Sequence, residues 1–463
     1  MAQPRIIIVG AGPSGVRCAQ TLVAAGLRPT VVDENRRDGG QIYRRQPENF
    51  TRPYTKLYGT EASRAQSLHE SFDALRDKID YLPETLAWNI FDKKLHVVRD
   101  EVSSALPYDA LIICSGATDR LMPVKGWHFA GTYSLGASQI ALKAQACAIG
   151  HQIVFLGTGP LLYLVASQYL KAGANVAAVL DTSPLMRRVM ALPKLLARPS
   201  VLLKGLGLVA SIKRAGVPVL TGITPVEIKG ESENGVQSVL IRDSRGNERS
   251  FECDAVAMGY HLRPETQLAD LARCTFRFEQ ETRQWLPEVG EDGRTSVPGV
   301  YLAGDGMRVL GADAAEIGGR LAAMAVLKDL RLKVSDKELQ GLRAEQASME
   351  RFRQGLAQAF PWPVEQAAQL PDDAIVCRCE AITAGELRRV VCGMGAQEAN
   401  RAKAFSRVGM GRCQGRYCGH AGAEVIAHAV GVPVEQVGRL RGQAPVKPLS
   451  IAVREIAVRE KVQ

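Results

Sequence analysis

Two groups of residues in this 463-residue chain have the types and spacing for chemistry. One is a set of four cysteines, Cys377-x-Cys379 and Cys413-x4-Cys418; the other is an early glycine-rich turn, Gly10-Ala11-Gly12-Pro13-Ser14-Gly15. Thiolates in two close pairs suit a two-iron cluster, which needs two sulfurs per iron. Zinc is the competing metal, but its sites favour Cys-x2-4-Cys pairs over Cys-x-Cys. The spacing therefore assigns Cys377, Cys379, Cys413 and Cys418 to a [2Fe–2S] centre. Gly409, Gly411, Gly415 and Gly419 around the second pair let backbone N–H groups face the sulfurs. The glycine turn has the spacing of a dinucleotide site. A bound dinucleotide that takes electrons in pairs, together with a cluster that takes them singly, describes an electron carrier.

These residues need elements to hold them. Ile6–Val9 reads as a strand, the turn follows, and an Ala/Leu-rich helix runs to about Ala25. Gly10 permits the tight turn, Gly12 lets a pyrophosphate approach the backbone, and Gly15 lets the helix pack on the strand. Pro13 and Ser14 open that helix, whose free N–H groups meet the phosphates. A second strand over Pro29–Val32 ends in Asp33, at the distance expected of the acid that binds the adenosine ribose; Glu34 is the alternative. Three more segments extend the pattern: Gly39-Gly40-Gln41, a strand over Tyr108–Ala117 ending at Ser115-Gly116, and Tyr301–Gly306 with Gly304-Asp305.

This arrangement resembles the two-dinucleotide-domain flavoprotein superfamily, that of thioredoxin reductase and glutathione reductase. The resemblance implies FAD. It gives Asp305 a ribityl hydroxyl to hold and places Gly40, Gln41 and Gly116 in the same site. A helix from about Ala314 through Val326 would aim its positive N-terminus at the flavin. No Cys-x-x-Cys occurs, so disulfide reduction is excluded as the main activity.

Ile153–Leu156, Gly157-Thr158-Gly159-Pro160-Leu161-Leu162 and Val176–Leu180 followed by Asp181 repeat the strand–turn–helix–strand pattern. The uncharged run Ile153–Leu170 is as long as a membrane span, but the turn inside it predicts an α/β core instead. Leu162 stands where the third glycine belongs and is expected to push the helix off the strand, which weakens this unit as an NAD(P)H site. Gly216–Glu252 reads as alternating strands. The predicted fold is α/β, with two Rossmann-like dinucleotide-binding domains and a small helical C-terminal [2Fe–2S] domain. Its expected boundaries are a discontinuous FAD domain over 1–120 and 290–332 and a second Rossmann-like domain over 121–289. A helical linker over 333–372 includes Phe360-Pro361-Trp362-Pro363, and the cluster domain over 373–440 precedes a tail over 441–463.

Composition agrees with this reading: 46% hydrophobic residues and 44 glycines fit an α/β protein with tight turns. Ten cysteines are too few for a disulfide scaffold. Cys18, Cys114, Cys147, Cys253 and Cys274 stand singly, as small buried hydrophobes do, and Cys392 is expected in the core of a helix over Ala384–Cys392. Clustered metal-binding thiols predict a reducing, cytoplasmic setting. No basic segment or cleavage site precedes Ile6–Val9, so no signal peptide is expected. The net charge of +10 is spread without a dense basic run or aromatic interleaving, which argues against nucleic acid. An acidic partner or peripheral association with an anionic membrane, at its inner face, also fits a basic chain.

Cys-Arg-Cys-Glu with Gly-Arg-Cys-Gln-Gly-Arg-Tyr-Cys resembles the bacterioferritin-associated ferredoxin-like [2Fe–2S] domain over about Ile375–Val430. The whole chain, including Gly39–Arg44 and the basic tail Arg441–Pro448, resembles the flavoprotein α subunit of heteromeric bacterial amine dehydrogenases. That family includes the octopine and nopaline oxidases, the D-hydroxyproline dehydrogenases and hydrogen cyanide synthase. The resemblance implies a β subunit like D-amino-acid oxidase that oxidises a C–N bond, a small ferredoxin-like γ subunit, and FMN at a subunit boundary; no residue here points to the FMN. The substrate would be an opine, a (hydroxy)proline-type imino acid or glycine. No catalytic residue is identified, because His69, His96, His128, His151, His261, His420 and His428 are scattered without a Tyr/Arg constellation beside them. The other reading is a self-contained NAD(P)H-dependent reductase feeding the cluster.

Overall fold

Ile6–Val9 is apolar at every position, and such a strand needs cover on both faces. In the computed structural model, which describes residues 3–455, it is the centre of a five-stranded parallel sheet. The order across this sheet is Val300–Leu302, Ala110–Ile113, Ile6–Val9, Thr30–Val32 and Asp80–Leu82. Ile6 and Ile8 pack with Val16, Leu22 and Phe72 on one face, and Ile7 and Val9 pack with Leu95 and Leu111 on the other. Helix Pro13–Ala24 lies against helix Ala312–Asp329 so closely that a Cβ on Gly319 would stand 2.0 Å from the Ser14 carbonyl oxygen.

A second parallel sheet runs Val219–Thr221, Asn175–Asp181, Gln152–Thr158, Ala255–Tyr260 and Thr132–Ser134. The chain passes between the two units through the antiparallel pair Ala117–Asp119 and Leu262–Pro264. The second unit also carries a three-stranded antiparallel sheet, and the first a four-stranded sheet of three antiparallel strands and one short parallel strand from the tail. The one over Leu86–Phe91, Lys94–Arg99 and Val102–Pro107 has no counterpart in the expected element order, and neither do the helices Leu185–Met190, Leu192–Leu195 and Pro199–Arg214. Leu162 is fully buried among Leu135, Phe155 and Val165.

After helix Asp336–Ala359, capped by the Ser335 side chain on the Glu338 N–H, the chain enters the C-terminal domain. Strand Ile375–Cys377 leads to helices Ala384–Met394, Ala399–Ser406 and Cys418–Val430. This domain does not hang from a linker. Trp127, Val154 and Met258 of the second unit share one core with Trp362, Val376, Leu387 and Val425. Trp127 Nε1 donates to the Ile375 carbonyl at 2.6 Å. The Phe360–Pro363 segment, expected as a linker, is structural: Trp362 is buried, edge-on to Tyr260, with the Arg120 guanidinium 3.7 Å from its ring. Cys392 also departs from expectation. Its helix buries Ala384, Leu387 and Val391, and one further step of 100° puts Cys392 on the exposed side. Cys147 is likewise exposed, whereas the other four single cysteines are buried.

The tail returns to the first unit. Val446 joins its core, Lys447 pairs with Glu34, and Arg454–Glu455 pairs with the strand Val102–Pro107. Residues 456–463 of the expected tail lie outside the described residues. Among the described residues no helix is long and apolar enough to cross a membrane.

Candidate flavin site and iron–sulfur centre

The carboxyl ends of four strands of the first sheet bring the candidate FAD residues together. The Gly10–Gly15 turn follows Val9, Asp33 follows Val32, Ser115-Gly116 follow Ile113, and Gly304-Asp305 follow Leu302. This is the edge of an open parallel sheet at which dinucleotides bind. Contacts between the segments are close: a Cβ on Gly40 would lie 3.0 Å from Gly12 Cα, and one on Gly304 would lie 2.8 Å from Ser14 Cβ. A Cβ on Gly15 would lie 1.8 Å from the Gly10 carbonyl oxygen, so that glycine is required by the fold itself. Gly12 differs. A Cβ there meets nothing nearer than Gly40 Cα at 3.5 Å, and its φ of −77° suits any residue. Its small size leaves space above the turn, where a pyrophosphate would lie.

The two candidate ribose acids are placed unequally. Asp33 is buried and accepts from the Ala11 N–H (2.6 Å), the Asn35 N–H (2.6 Å) and Asn35 Nδ2 (2.9 Å). Burial raises its pKa, against the pull of those donors. Glu34 is exposed and faces Lys447. Gln41 is exposed and accepts from Arg44 at 2.8 Å. Asp305 spends Oδ1 on the Leu310 and Gly311 N–H groups, at 2.9 and 3.1 Å, which leaves Oδ2 for a ligand hydroxyl. Helix Ala312–Asp329 starts directly after this loop.

The four candidate ligand cysteines line a single cavity of about 320 Å³, with Trp127, Tyr133, Arg378 and Tyr417 around them. The thiols of Cys418 and Cys379 stand close enough to those of Cys377 and Cys413 to shift their ionisation. Backbone N–H groups of Gly409 and Glu380 reach Cys377, and those of Gly415 and Tyr417 reach Cys413. These donors, the Cys418 thiol first, bring Cys377 down to about 6 and Cys413 to about 5, while Cys418 is driven up. Among the described residues no group of three or more Cys, His, Asp or Glu is arranged to hold a single metal ion. A two-iron centre needs thiolates in pairs and N–H groups aimed at sulfur, and the four cysteines lining one cavity fit that need. A second fit is electrostatic. Arg120 and Arg263 are buried, and their guanidiniums donate to the carbonyls of Thr282, Arg283 and Arg416 rather than to carboxylates. Buried cations so placed call for an anion nearby, and a four-thiolate [2Fe–2S] centre is dianionic.

The cluster loop is tied to the flavin crevice. Arg416, between the two ligand cysteines, donates to Glu265 at 2.6 Å in a pair that is largely out of water. The Glu265 N–H donates to the Gly116 carbonyl at 2.9 Å, and Ser115 Oγ donates to the Glu265 carbonyl at 2.6 Å. Gln267 Nε2 donates to the Gln414 carbonyl at 2.8 Å. Burial pushes Glu265 up, but Arg416 and Arg263 prevail and hold it below the usual carboxylate range. Of these residues only Arg416, within the cysteine motif, carried a local signal. Glu265, Arg263, Arg120 and Trp127 carried none, because their partners lie far off in the chain.

The second crevice is closed by its own side chains. Asp181, the acid at its second strand, is fully buried. Its Oδ1 accepts from Thr158 Oγ1 (2.8 Å) and the Ser183 N–H (2.7 Å), and its Oδ2 from Tyr163 (2.7 Å) and Arg188 (2.6 Å). A carboxylate has about four lone-pair positions, so none remains for a ribose. The His261 ring stands 3.2 Å from where a Cβ on Gly159 would lie, and its Nε2 is 2.6 Å from the Phe360 carbonyl oxygen. The Arg188 guanidinium packs 4.9 Å from the Phe360 ring.

Comparison with known proteins agrees with this geometry. Residues 4–325 match the model of the pyridine nucleotide-disulphide oxidoreductase family, and residues 375–428 match that of the BFD-like [2Fe-2S] binding domain. The A subunit of the opine oxidase of Agrobacterium tumefaciens is 36% identical over 96% of this chain and 90% of its own length. The chain belongs to the family of opine oxidase A subunits. The A subunit of the opine oxidase of Rhizobium meliloti is 37% identical, over 96% and 86%. Hydrogen cyanide synthase subunit HcnB of Pseudomonas aeruginosa is 29% identical, over 96% and 97%. In fold, the chain is similar to L-proline dehydrogenase from P. horikoshii, with a TM-score of 0.70 and 18% identity over 98% of this chain and 79% of that one. As a member of the opine oxidase A family it is an oxidoreductase with FAD and a [2Fe–2S] centre.

The glycine turn gives the first test of this site. Gly12→Ala should fold normally, because the protein leaves room for the methyl, yet lose FAD affinity by about tenfold or more, read by flavin absorbance after gel filtration. Unchanged flavin content would move the pyrophosphate site elsewhere. Anaerobically purified protein should hold about two irons and two sulfides per chain. Cys379→Ser or Cys413→Ser should remove them and leave the flavin; stoichiometric zinc without acid-labile sulfide would contradict the assignment. In stopped flow, NADH and NADPH should bleach the flavin slowly or not at all, since Asp181 has no acceptor free. Rapid stoichiometric bleaching would make the second crevice a working site.

Proposed function

We propose that this chain is the electron-relay subunit of a heteromeric flavin-dependent amine dehydrogenase. The observation that carries the proposal is the hydrogen-bonded seam through Arg416, Glu265 and Ser115-Gly116. It holds the loop of Cys413 and Cys418 against the crevice of Gly12 and Asp305, beside a second crevice that admits no ribose. Bound FAD accepts an electron pair, and a [2Fe–2S] centre accepts one electron at a time. The chain's own residues do the rest. Gly12 and the helix opening at Pro13 receive the pyrophosphate, Asp33 the ribose side, and Asp305 a ribityl hydroxyl. Cys377, Cys379, Cys413 and Cys418 hold the irons, the N–H groups of Gly409 and Gly415 stabilise sulfur charge, and Arg263 and Arg120 offset the buried negative charge.

The relatives' names support the division of labour. Two are subunits of opine oxidases and one is a subunit of hydrogen cyanide synthase. We take the substrate to be an opine, a (hydroxy)proline-type imino acid or glycine, oxidised at its C–N bond on a partner similar to D-amino-acid oxidase. A small ferredoxin-like third subunit completes the assembly. The histidines here offer no competing substrate site. His69 is buried between Tyr54 and the Tyr43 carbonyl, and His261 faces the Phe360 carbonyl. All ten cysteines are free thiols, which suits a reducing cytoplasm.

Purified alone, the chain should carry its flavin and cluster and show no dye-linked dehydrogenase activity toward opines, proline derivatives or glycine. Co-expression with an oxidase-like partner should restore activity and give a stable hetero-oligomer. Turnover by the isolated chain at the rate of the complex would overturn the proposal.

A further inference from the structure

The helices Leu185–Met190, Leu192–Leu195 and Pro199–Arg214 form a surface that the electron relay does not use. Their inner side is anchored: Ala191 and Leu195 are buried against Ala359, with Leu202, Phe352 and Leu356 packed around them. Their outer side is unusual. Nine of the sixteen exposed large hydrophobic side chains among the described residues lie between Leu185 and Leu206. Leu185, Met186, Met190, Leu196, Leu203 and Leu206 are each between 56 and 67% exposed. So dense an apolar cluster marks a surface that is normally covered. Gly205 and Gly207 lie mid-helix with nothing within 4 Å of a built Cβ. Glycine weakens an exposed helix interior, and here no close packing explains it.

Charge identifies the cover. No aspartate or glutamate occurs between Asp181 and Glu227, whereas seven lysines and arginines do. Those seven account for most of the chain's net +10, a concentration hidden in the sequence because they are spaced rather than contiguous. Three turn inward or sideways to carboxylates: Arg188 to Asp181, Arg198 to Asp313 and Glu345, and Lys204 to Glu61. Arg187, Lys194, Lys213 and Arg214 are exposed. Helices that present leucines and methionines outward, edged by basic side chains and free of carboxylates, have the composition of an interfacial membrane element. A protein partner of mixed charge would be expected to meet at least one acid on this face.

We propose that the outer face of residues 185–214 docks on an anionic lipid bilayer, with its leucines and methionines at the acyl boundary and its basic side chains on the phosphates. The inference is independent of the electron-relay reading and can fail without it. Its test is co-sedimentation of the full-length, FAD-loaded chain with vesicles. Phosphatidylglycerol-containing vesicles should bind at least about tenfold more protein than pure phosphatidylcholine vesicles, and binding should fall as salt is raised. The triple variant Met186→Glu, Leu203→Glu, Leu206→Glu should lose that binding by about tenfold while keeping its flavin absorbance. The double variant Arg187→Glu, Lys194→Glu, which spares the apolar face, should lose selectivity for the anionic lipid. Lys229→Glu, exposed on another sheet, should bind as the parent does. The proposal falls if the parent chain ignores anionic vesicles, if it binds both lipids equally, or if the triple variant still binds. It also falls if the parent ignores vesicles and the triple variant no longer co-purifies with a partner subunit, since the face is then a protein interface.

Discussion

The Arg416–Glu265 ion pair is the contact on which the rest of the structure depends. One partner sits between two cluster cysteines, and the other is hydrogen-bonded through its backbone to the strand end at the flavin crevice. A buried pair of this kind contributes little net stability, because desolvation offsets most of the Coulomb attraction. Breaking it is a different matter, since either partner left alone is a buried uncompensated charge, at a cost on the order of 3–5 kcal/mol. The pair therefore acts on position more than on total stability. A cluster domain held only by apolar packing could slide on its neighbour; one keyed by Arg416, Gln267 and the Trp127–Ile375 hydrogen bond has a single seating.

That seating concentrates charge. Arg120, Arg263, Arg283, Arg416 and Arg439 gather near the seam against the carboxylates of Glu265, Asp270 and Glu424. Arg283 and Arg439 are each held bidentately by an acid, Glu424 and Asp270 respectively. Arg120 and Arg263 rely on carbonyls, so the excess is positive, opposite in sign to the centre that the four thiolates would hold. Beside them His420 is half-buried, and its pKa is driven well down, by burial first and then by Arg120 and Arg263. A neutral imidazole there adds no third cation to the excess.

Local signals in the sequence reached the candidate site residues but not the seam. The turn, its acid and the cysteine pairs are short-range patterns set by the chemistry they serve, and the elements that carry them lie where periodicity places them. The first helix ends at Ala24 against an expected Ala25, and the predicted strand over Val176–Leu180 is Asn175–Asp181. What escaped was pairing across distance. Arg188 reads as a solvated helix residue, yet it folds back onto Asp181. Phe360–Pro363 has the composition of a linker, yet Phe360 packs on Arg188 at the second crevice and Trp362 is buried in the core shared with the cluster domain. Leu162 was the visible irregularity of the second turn, but it is fully buried, and the feature that bears on a nucleotide is the Asp181 carboxylate, whose acceptor positions are all taken.

The closed second crevice and the tight seam are two consequences of one arrangement. Phe360 lies on Arg188 at the mouth of that crevice, and two residues later Trp362 lies under Arg120, between the second unit and the cluster domain. The segment that packs over the second crevice therefore also docks the cluster domain. Opening the crevice to admit a dinucleotide would require Phe360 to leave Arg188 and His261, and Trp362, only two residues on, could not follow without giving up its place in the shared core. On the proposed electron-relay reading, such a chain trades a nicotinamide entrance for a fixed seat for its cluster domain.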